Sequence, residues 1–341
     1  MCEANAHVEP RVTVFIPTYN RARLLRFAID SVLAQTYGDF RLEISDNASS
    51  DETPEVVASY SDPRIVSIRQ PENIGLLANH NRFLERVQTD YALILPDDDV
   101  IYPNLLERGV RVLDERPRVG TVHSSFNVIG PANEVLQPDV NWTQGLTEDV
   151  VESADEFIRE SMSWSCRVCA STALMRTAAL PADGMLEDDF PAVDFGMWLR
   201  MAGGGWDFAF LGDTLAAYRI HGGSHSAAFG APQGPGYVQG GEIVSRLKAV
   251  KCRFVDAHAD TLGHPAALKR RAERSRRREL VILARNLTLP QRRAIPTFRA
   301  LIDATRSDPG VVLEMSAWRL AGASLLGSRV VDRLKEGRAA S

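Results

Sequence analysis

YALILPDDDVIYP, residues 91–103, runs five mostly apolar residues into a proline and then sets three aspartates side by side. A short apolar run closed by a turn signal reads as a buried strand. Asp97, Asp98 and Asp99 therefore stand where that strand leaves the core. Adjacent carboxylates repel one another, and a hard divalent cation that neutralises them makes such a cluster tolerable. The plainer reading is a solvated acidic loop capping the helix that starts near Pro103.

The flanking sequence sets this strand in a series. RVTVFIP is a β-branched run closed by a proline, and NRARLLRFAIDSVLAQTY places Leu24, Leu25, Ala28, Ile29, Val32 and Leu33 at helical spacing. FRLEISD, RIVSIRQP and YALILP are further strands, separated by the helical segments SSDETPEVVASYS and GLLANHNRFLERV. Strands alternating with helices imply βαβ units, a parallel sheet and a ligand crevice at the carboxyl ends of the strands. Beyond a helix at NLLERGVRVLDERP and a strand at VGTVHSSFNVIG the pattern loosens through residues 131–190. It resumes with a helix in AVDFGMWLRMAGGG and a strand in DFAFLGDTLAAYRIH.

Three polar clusters fall on neighbouring strand ends: IPTYNR, SDNASSD and PDDD. In this order, across residues 11 to about 225, they resemble the inverting family-2 glycosyltransferases, whose GT-A fold is a mainly parallel α/β sandwich that binds nucleoside diphosphate sugars. The resemblance implies that Pro17, Thr18, Tyr19, Asn20 and Arg21 wrap the nucleoside, that Asp46 accepts from the base and that Asn47 is a further nucleotide-binding residue. A carboxylate facing an imide N–H makes a charge-assisted hydrogen bond; turn or helix-cap chemistry also suits Asp46. Asn73, Gly75 and Asn81 resemble the loop and helix start beneath the nucleotide.

Family members commonly read D-x-D-D before a proline. Aligning on Pro103 places Pro96 at the first aspartate, so this chain departs from the pattern there. The metal ligands are then expected at Asp98 and Asp99, with Asp97 toward the sugar or ribose, and the ion is Mg2+ or Mn2+. YRIHGGSHS resembles the segment whose histidine, here His221, joins the same metal, with His225 as a second candidate. Asp194, four residues before Trp198-Leu199-Arg200, takes the position of the general base; an N-cap role is compatible, and Asp188 and Asp189 are alternatives.

The implied activity is transfer of a hexose from a uridine or thymidine diphosphate sugar to the hydroxyl of a saccharide, a lipid-linked saccharide or a secondary metabolite. Two other classes stay open: a nucleotidyltransferase, which usually opens on a glycine-rich phosphate loop that IPTYNRA lacks, and a non-catalytic nucleotide-sugar-binding partner of another transferase.

The composition, 45% hydrophobic and 24% charged, is that of a globular protein and excludes a disordered chain. Its net charge of −5 conceals an asymmetry: residues 245–341 hold 21 Lys+Arg against 9 Asp+Glu, a local +12, and the rest of the chain carries −17. The expected organisation is a catalytic domain over 1–225, a Gly/Pro-rich flexible linker over 226–241 and a basic helical region over 242–341. Seven cations between Lys269 and Arg278 crowd three helical turns. They suggest peripheral attachment to an anionic membrane, against a bundle packed on the catalytic domain or on a second copy, as in a homodimer. No secretory signal and no run of about 18 apolar residues is evident, so a cytoplasmic location is expected, with contact at the inner membrane face and no nucleic-acid partner. Cys166 and Cys169 form a lone CxxC, and buried thiols are the simpler reading than a metal or redox role.

Overall fold

β1 (Val12–Thr18) is covered on both faces, and that arrangement organises the layers around it. Val12, Val14 and Ile16 belong to one buried cluster with Leu25, Ala28, Ile29 and Val32 of α1 (Ala22–Leu33). On the opposite face Phe15 stacks on Phe83 of α3 (Leu76–Arg86), ring centroids 4.3 Å apart. A strand buried on two sides must be apolar at successive positions rather than alternate ones.

The computed structural model describes residues 9–143, 145–164, 166–222 and 236–288. The chain divides into two compact units, Met1–Ser161 with Cys166–His221 and Met162–Ser165 with Gly222–Ser341. The first unit ends at His221, four residues before the expected boundary.

In this unit β2 (Phe40–Asp46), β3 (Ile65–Arg69) and β4 (Tyr91–Ile94) join β1 in parallel, in the order β3-β2-β1-β4. The helices α1, α2 (Thr53–Ala58) and α3 form the crossovers. The sheet then continues through β9 (Leu174–Arg176), β6 (Val119–Ile129), β10 (Asp207–Arg219) and β5 (Val100–Ile101). β9 runs antiparallel to both β4 and β6, and β5 runs antiparallel to β10. β7 (Val135–Val140) and β8 (Val150–Glu152) pair outside this path, on β6 and β10. α4 (Leu105–Glu115), α5 (Ala154–Ser163) and α6 (Val193–Gly203) complete the elements up to β10. The three-residue β9 lies within the stretch where the sequence pattern loosens, because so short a strand has no room to show a period.

Register fixes what meets at the carboxyl edge. Thr18 lies opposite Asp46, Asp46 opposite Arg69 and Phe15 opposite Ile94, so the loops after β1, β2, β3 and β4 leave from one edge. Val100 lies opposite Ala217, which brings the end of β10 beside the three aspartates.

In the second unit α7 (Gly236–Ala257) packs on α8 (Pro265–Thr288). α7 begins inside the expected linker; residues 226–235 lie outside the described residues. Glycine costs about 1 kcal/mol in a helix relative to alanine. Burial of Val244, Leu247, Val250 and Phe254 farther along α7 overrides that local preference. Lys251 is buried, donating to the Trp164 carbonyl (2.7 Å) and to Ser275 Oγ (3.1 Å). Of the cations on α8, Lys269 pairs with Asp256, Arg276 and Arg277 approach Glu273, and Arg278 lies over the Trp164 ring; Arg270 and Arg274 are exposed. Residues 289–341, which carry the rest of the expected basic region, lie outside the described residues. Among the described residues no helix is long and apolar enough to cross a membrane.

Candidate active site

Asn20 is the pivot of the turn after β1. Its backbone is left-handed (φ 53°), a conformation asparagine tolerates better than most residues. Its N–H donates to Ser49 Oγ (2.9 Å) and its side-chain oxygen accepts from the Ser50 N–H (2.8 Å). The loop after β2 reciprocates, since Asp51 accepts from the Ala22 N–H and so supplies α1 with the cap its own N-terminal residue lacks. Tyr19, beside this turn, is 45% exposed.

Asp46 is buried. One oxygen accepts from the Ser49 N–H (2.8 Å), and the other lies 3.2 Å from Arg69 Nη1. A cavity of about 460 Å³ opens here, lined by Asp46, Pro54, Val57, Tyr60, Ile65, Ser67 and Arg69 among others. Asn47 is turned away into the next loop: its carbonyl accepts from the Ile74 N–H and its amide donates to Asn73 Oδ1 and the Gly75 carbonyl. Asn81 lies elsewhere. It makes a two-way amide pair with the backbone of Met185 (2.8 and 2.9 Å), tethering α3 to the segment that leads into α6.

The three aspartates differ although they are neighbours. Asp97 is 9% exposed and lies 3.8 Å from Arg21 Nε; burial, then the Asp98 charge, pushes its carboxyl up to about 7. Asp98 reaches outward, its Oδ2 2.9 Å from His221 Nε2 and 3.1 Å from Arg21 Nη1. Arg21 Nη1 also lies 2.9 Å from His221 Nε2. Asp99, expected at the metal, is 1% exposed and turned into the protein: Oδ1 accepts from the Arg219 N–H (2.8 Å) and Oδ2 from the Ser171 hydroxyl. Burial and the Asp98 charge hold its carboxyl above the usual range.

Asp194 is half-buried in the first turn of α6, with Oδ1 accepting from the Phe195 N–H (2.8 Å). Ala192 occupies the cap position. Burial raises the Asp194 carboxyl, the direction a general base needs to work near neutrality. The buried Cys169 thiol is pushed up by burial and then by the Asp99 charge. Asp189, an alternative base, is buried and paired with Arg200 (2.8 Å), whereas Asp188 is exposed.

A β-carbon on Gly196 would lie 1.9 Å from Asp189 Oδ2, so glycine is what admits this ion pair against α6. Gly196→Ala is expected to destabilise the fold by about 2 kcal/mol, the usual scale of overpacking. Urea unfolding checks it, and an unchanged midpoint removes the packing argument.

Among the described residues no three His, Cys, Asp or Glu side chains converge as a closed metal cage. A site for Mg2+ or Mn2+ serving a diphosphate needs only one or two protein carboxylates, the remaining positions going to water and phosphate. The 2.9 Å between Asp98 Oδ2 and His221 Nε2 is about the separation of adjacent ligands in an octahedron with 2.0–2.1 Å bonds. The Arg21 guanidinium against both atoms shows that they share a place suited to positive charge. These two donors fit a divalent cation.

Residues 13–170 match the model for glycosyl transferase family 2. That segment is a glycosyl transferase family 2 domain. An uncharacterized glycosyltransferase of Nostoc sp. is 30% identical over 224 residues, covering 62% of this chain and 65% of that protein. The alignments span only 22–33% of the first Rickettsia relatives. Two solved structures share the GT-A fold with this chain. One is residues 1–349 of S. aureus TarS in complex with UDP-GlcNAc (TM-score 0.53, 17% identity, 81% of each chain). The other is the mannosyltransferase PcManGT of Pyrobaculum calidifontis with GDP-Man and Mn2+ (TM-score 0.56, 16% identity, 94% of this chain and 85% of that one).

The family motifs lead to Asp98, His221 and Asp194 but pass over Ser171, Arg69 and Arg219. Arg219 lies inside YRIHGGS, where the histidine draws attention away from it. Ser171 has no sequence signal, because it belongs to the short helical turn Ala170–Thr172 in the irregular stretch. His225 lies outside the described residues.

Proposed function

We propose that this chain is a metal-dependent, inverting glycosyltransferase that moves a hexose from a UDP- or dTDP-sugar to an acceptor hydroxyl. The observation that carries this reading is the pairing of Asp98 with His221 at the carboxyl edge of the sheet. The relation to PcManGT, whose structure contains Mn2+ and GDP-Man, supports a divalent ion and a nucleotide-sugar donor.

Asp194 takes the proton from the acceptor hydroxyl, and that oxygen attacks the anomeric carbon from the face opposite the diphosphate, which inverts its configuration. A divalent cation held by Asp98 and His221 would supply charge neutralisation for the departing diphosphate. Asp46 would accept from the N–H of a uracil or thymine ring entering the cavity it lines. Pro17 to Arg21 would border the nucleoside, and Asp97 the sugar or ribose. The acceptor is a saccharide, a lipid-linked saccharide or a secondary metabolite. Membership of the family weighs against a nucleotidyltransferase, and turnover separates the enzyme from a non-catalytic binding partner. Exposed Arg270 and Arg274 would suit contact with an anionic surface, in a cytoplasmic protein the inner membrane face, while the pairing of Lys269, Arg276 and Arg277 favours helix packing.

The test is thermal unfolding of the full chain with UDP, dTDP, GDP, ADP and CDP, each with and without Mn2+. A ligand at 100 times its Kd stabilises the native state by about 2.7 kcal/mol. UDP or dTDP with Mn2+ is expected to give the largest shift. A larger shift with GDP overturns the base assignment, and no shift with any nucleotide overturns the donor reading.

A further inference from the structure

Both oxygens of the Asp99 carboxylate are already used inside the protein. Oδ1 accepts the Arg219 N–H at 2.8 Å, and Oδ2 accepts the hydroxyl of Ser171, itself 1% exposed. Arg219 answers in the opposite direction. Its Nε donates to the Asp98 carbonyl (2.5 Å), its Nη1 donates to the Gly130 carbonyl (2.8 Å), and its guanidinium lies over the Phe27 ring at 5.2 Å. A side chain of the aspartate loop thus holds the backbone of β10, while a side chain of β10 holds the backbone of the aspartate loop. The connection is two-way and buried, the setting in which hydrogen bonds to charged groups are strongest.

This clamp lies where it governs the distance between Asp98 and His221. Asp98 is the residue before Asp99, and His221 is two residues after Arg219. The N–H of Ile220 makes the next bond of the β6–β10 ladder, to the Ile129 carbonyl (2.9 Å), and His221 follows it. The relative placement of the Asp98 and His221 side chains therefore depends on how firmly the aspartate loop is held to the end of β10.

We propose that Asp99, Ser171 and Arg219 form a latch that holds Asp98 Oδ2 and His221 Nε2 as a ready-made pair of cation donors, and that Asp99 is a positioning residue rather than a metal ligand. This rests on the reading of Asp98 and His221 as the cation site. It reassigns the third aspartate and gives a role to Ser171, which no motif marks.

Outer residues that orient metal ligands typically alter metal affinity about 10–100-fold when removed. The experiment is titration of Mn2+ into the full-length chain, followed by the electron paramagnetic resonance signal of free Mn2+, with UDP present throughout. Ser171→Ala is expected to weaken Mn2+ binding at least ~10-fold. Asp99→Asn keeps an oxygen for the Arg219 N–H and can donate to Ser171 Oγ, so its Mn2+ affinity should remain within about 3-fold of the wild type. Asp98→Asn should lose binding. Because the latch sets Asp98 against His221, Ser171→Ala made in a His221→Ala background should cost no further affinity.

An unchanged Kd in Ser171→Ala overturns the latch. So does a loss in Asp99→Asn as deep as that in Asp98→Asn, which would make Asp99 a ligand, or an equal cost of Ser171→Ala with and without His221. If the wild-type chain binds no Mn2+, the cation site itself fails and the latch falls with it, a result distinct from the other three.

Discussion

Asp194→Asn is expected to lower the turnover rate by at least ~100-fold, the lower end for loss of a general base, while the donor still binds. The substitution is nearly isosteric. An asparagine oxygen still accepts from the Phe195 N–H at the start of α6, so the local backbone has no reason to move. What disappears is the capacity to take a proton. Steady-state kinetics with saturating donor should show the loss in kcat, and nucleotide-induced thermal shifts should match the wild type. Burial raises the Asp194 carboxyl. The wild-type rate should therefore rise with pH through a value above the ordinary carboxylate range, as the protonated, inactive form gives way to the base. A variant with an unchanged rate moves the base elsewhere, with exposed Asp188 the next candidate because Asp189 is paired with Arg200. A loss of donor affinity equal to the loss of rate makes Asp194 a binding residue.

The second large effect is expected at Asp98. Asp98→Asn should lower turnover by about three orders of magnitude, as several kcal/mol of transition-state charge stabilisation disappears. It should also abolish the Mn2+ dependence of nucleotide binding. The charge matters more than the shape. The amide group can occupy the same space beside Arg21 and His221, but it offers no negative charge to a cation. His221→Ala should act in the same direction and less severely, because it removes a neutral donor and leaves the carboxylate. The measurement is nucleotide-induced thermal stabilisation with and without Mn2+, alongside product formation. Metal-stimulated transfer at a near-normal rate in Asp98→Asn would refute the assignment of this residue to the cation.

The parallel half of the sheet is legible from residues 11–103 because each of its elements is long enough to show its own period. Apolar runs end at Pro17, Asp46 and Pro96, and a helix with a clear apolar face follows the first of them. The placement of polar clusters at one edge follows from that alternation, since parallel strands joined by crossovers must all leave the sheet at the same end. The antiparallel insertion of β9 between β4 and β6 is not legible, and neither is the start of α7 at Gly236. In both cases local signal is weak or contrary, and contacts made far along the chain decide the outcome.

The candidate site divides the same way. The sequence by itself determined that carboxylates gather at the ends of apolar strands, that a histidine follows β10 and that an aspartate opens α6, because residue type and spacing carry that chemistry. Only the tertiary structure decided which partners each carboxylate meets. Asp97, Asp98 and Asp99 are identical in type and adjacent in position, yet Asp98 faces His221 while Asp99 is enclosed by Ser171 and Arg219. Asn47 and Asn81, alike in sequence as polar loop and helix residues, hold two different segments of backbone. A side chain's role depends on the partners that burial brings to it. Those partners lie 72 residues away for the Ser171–Asp99 bond and 123 for the His221–Asp98 bond, beyond the reach of any local pattern.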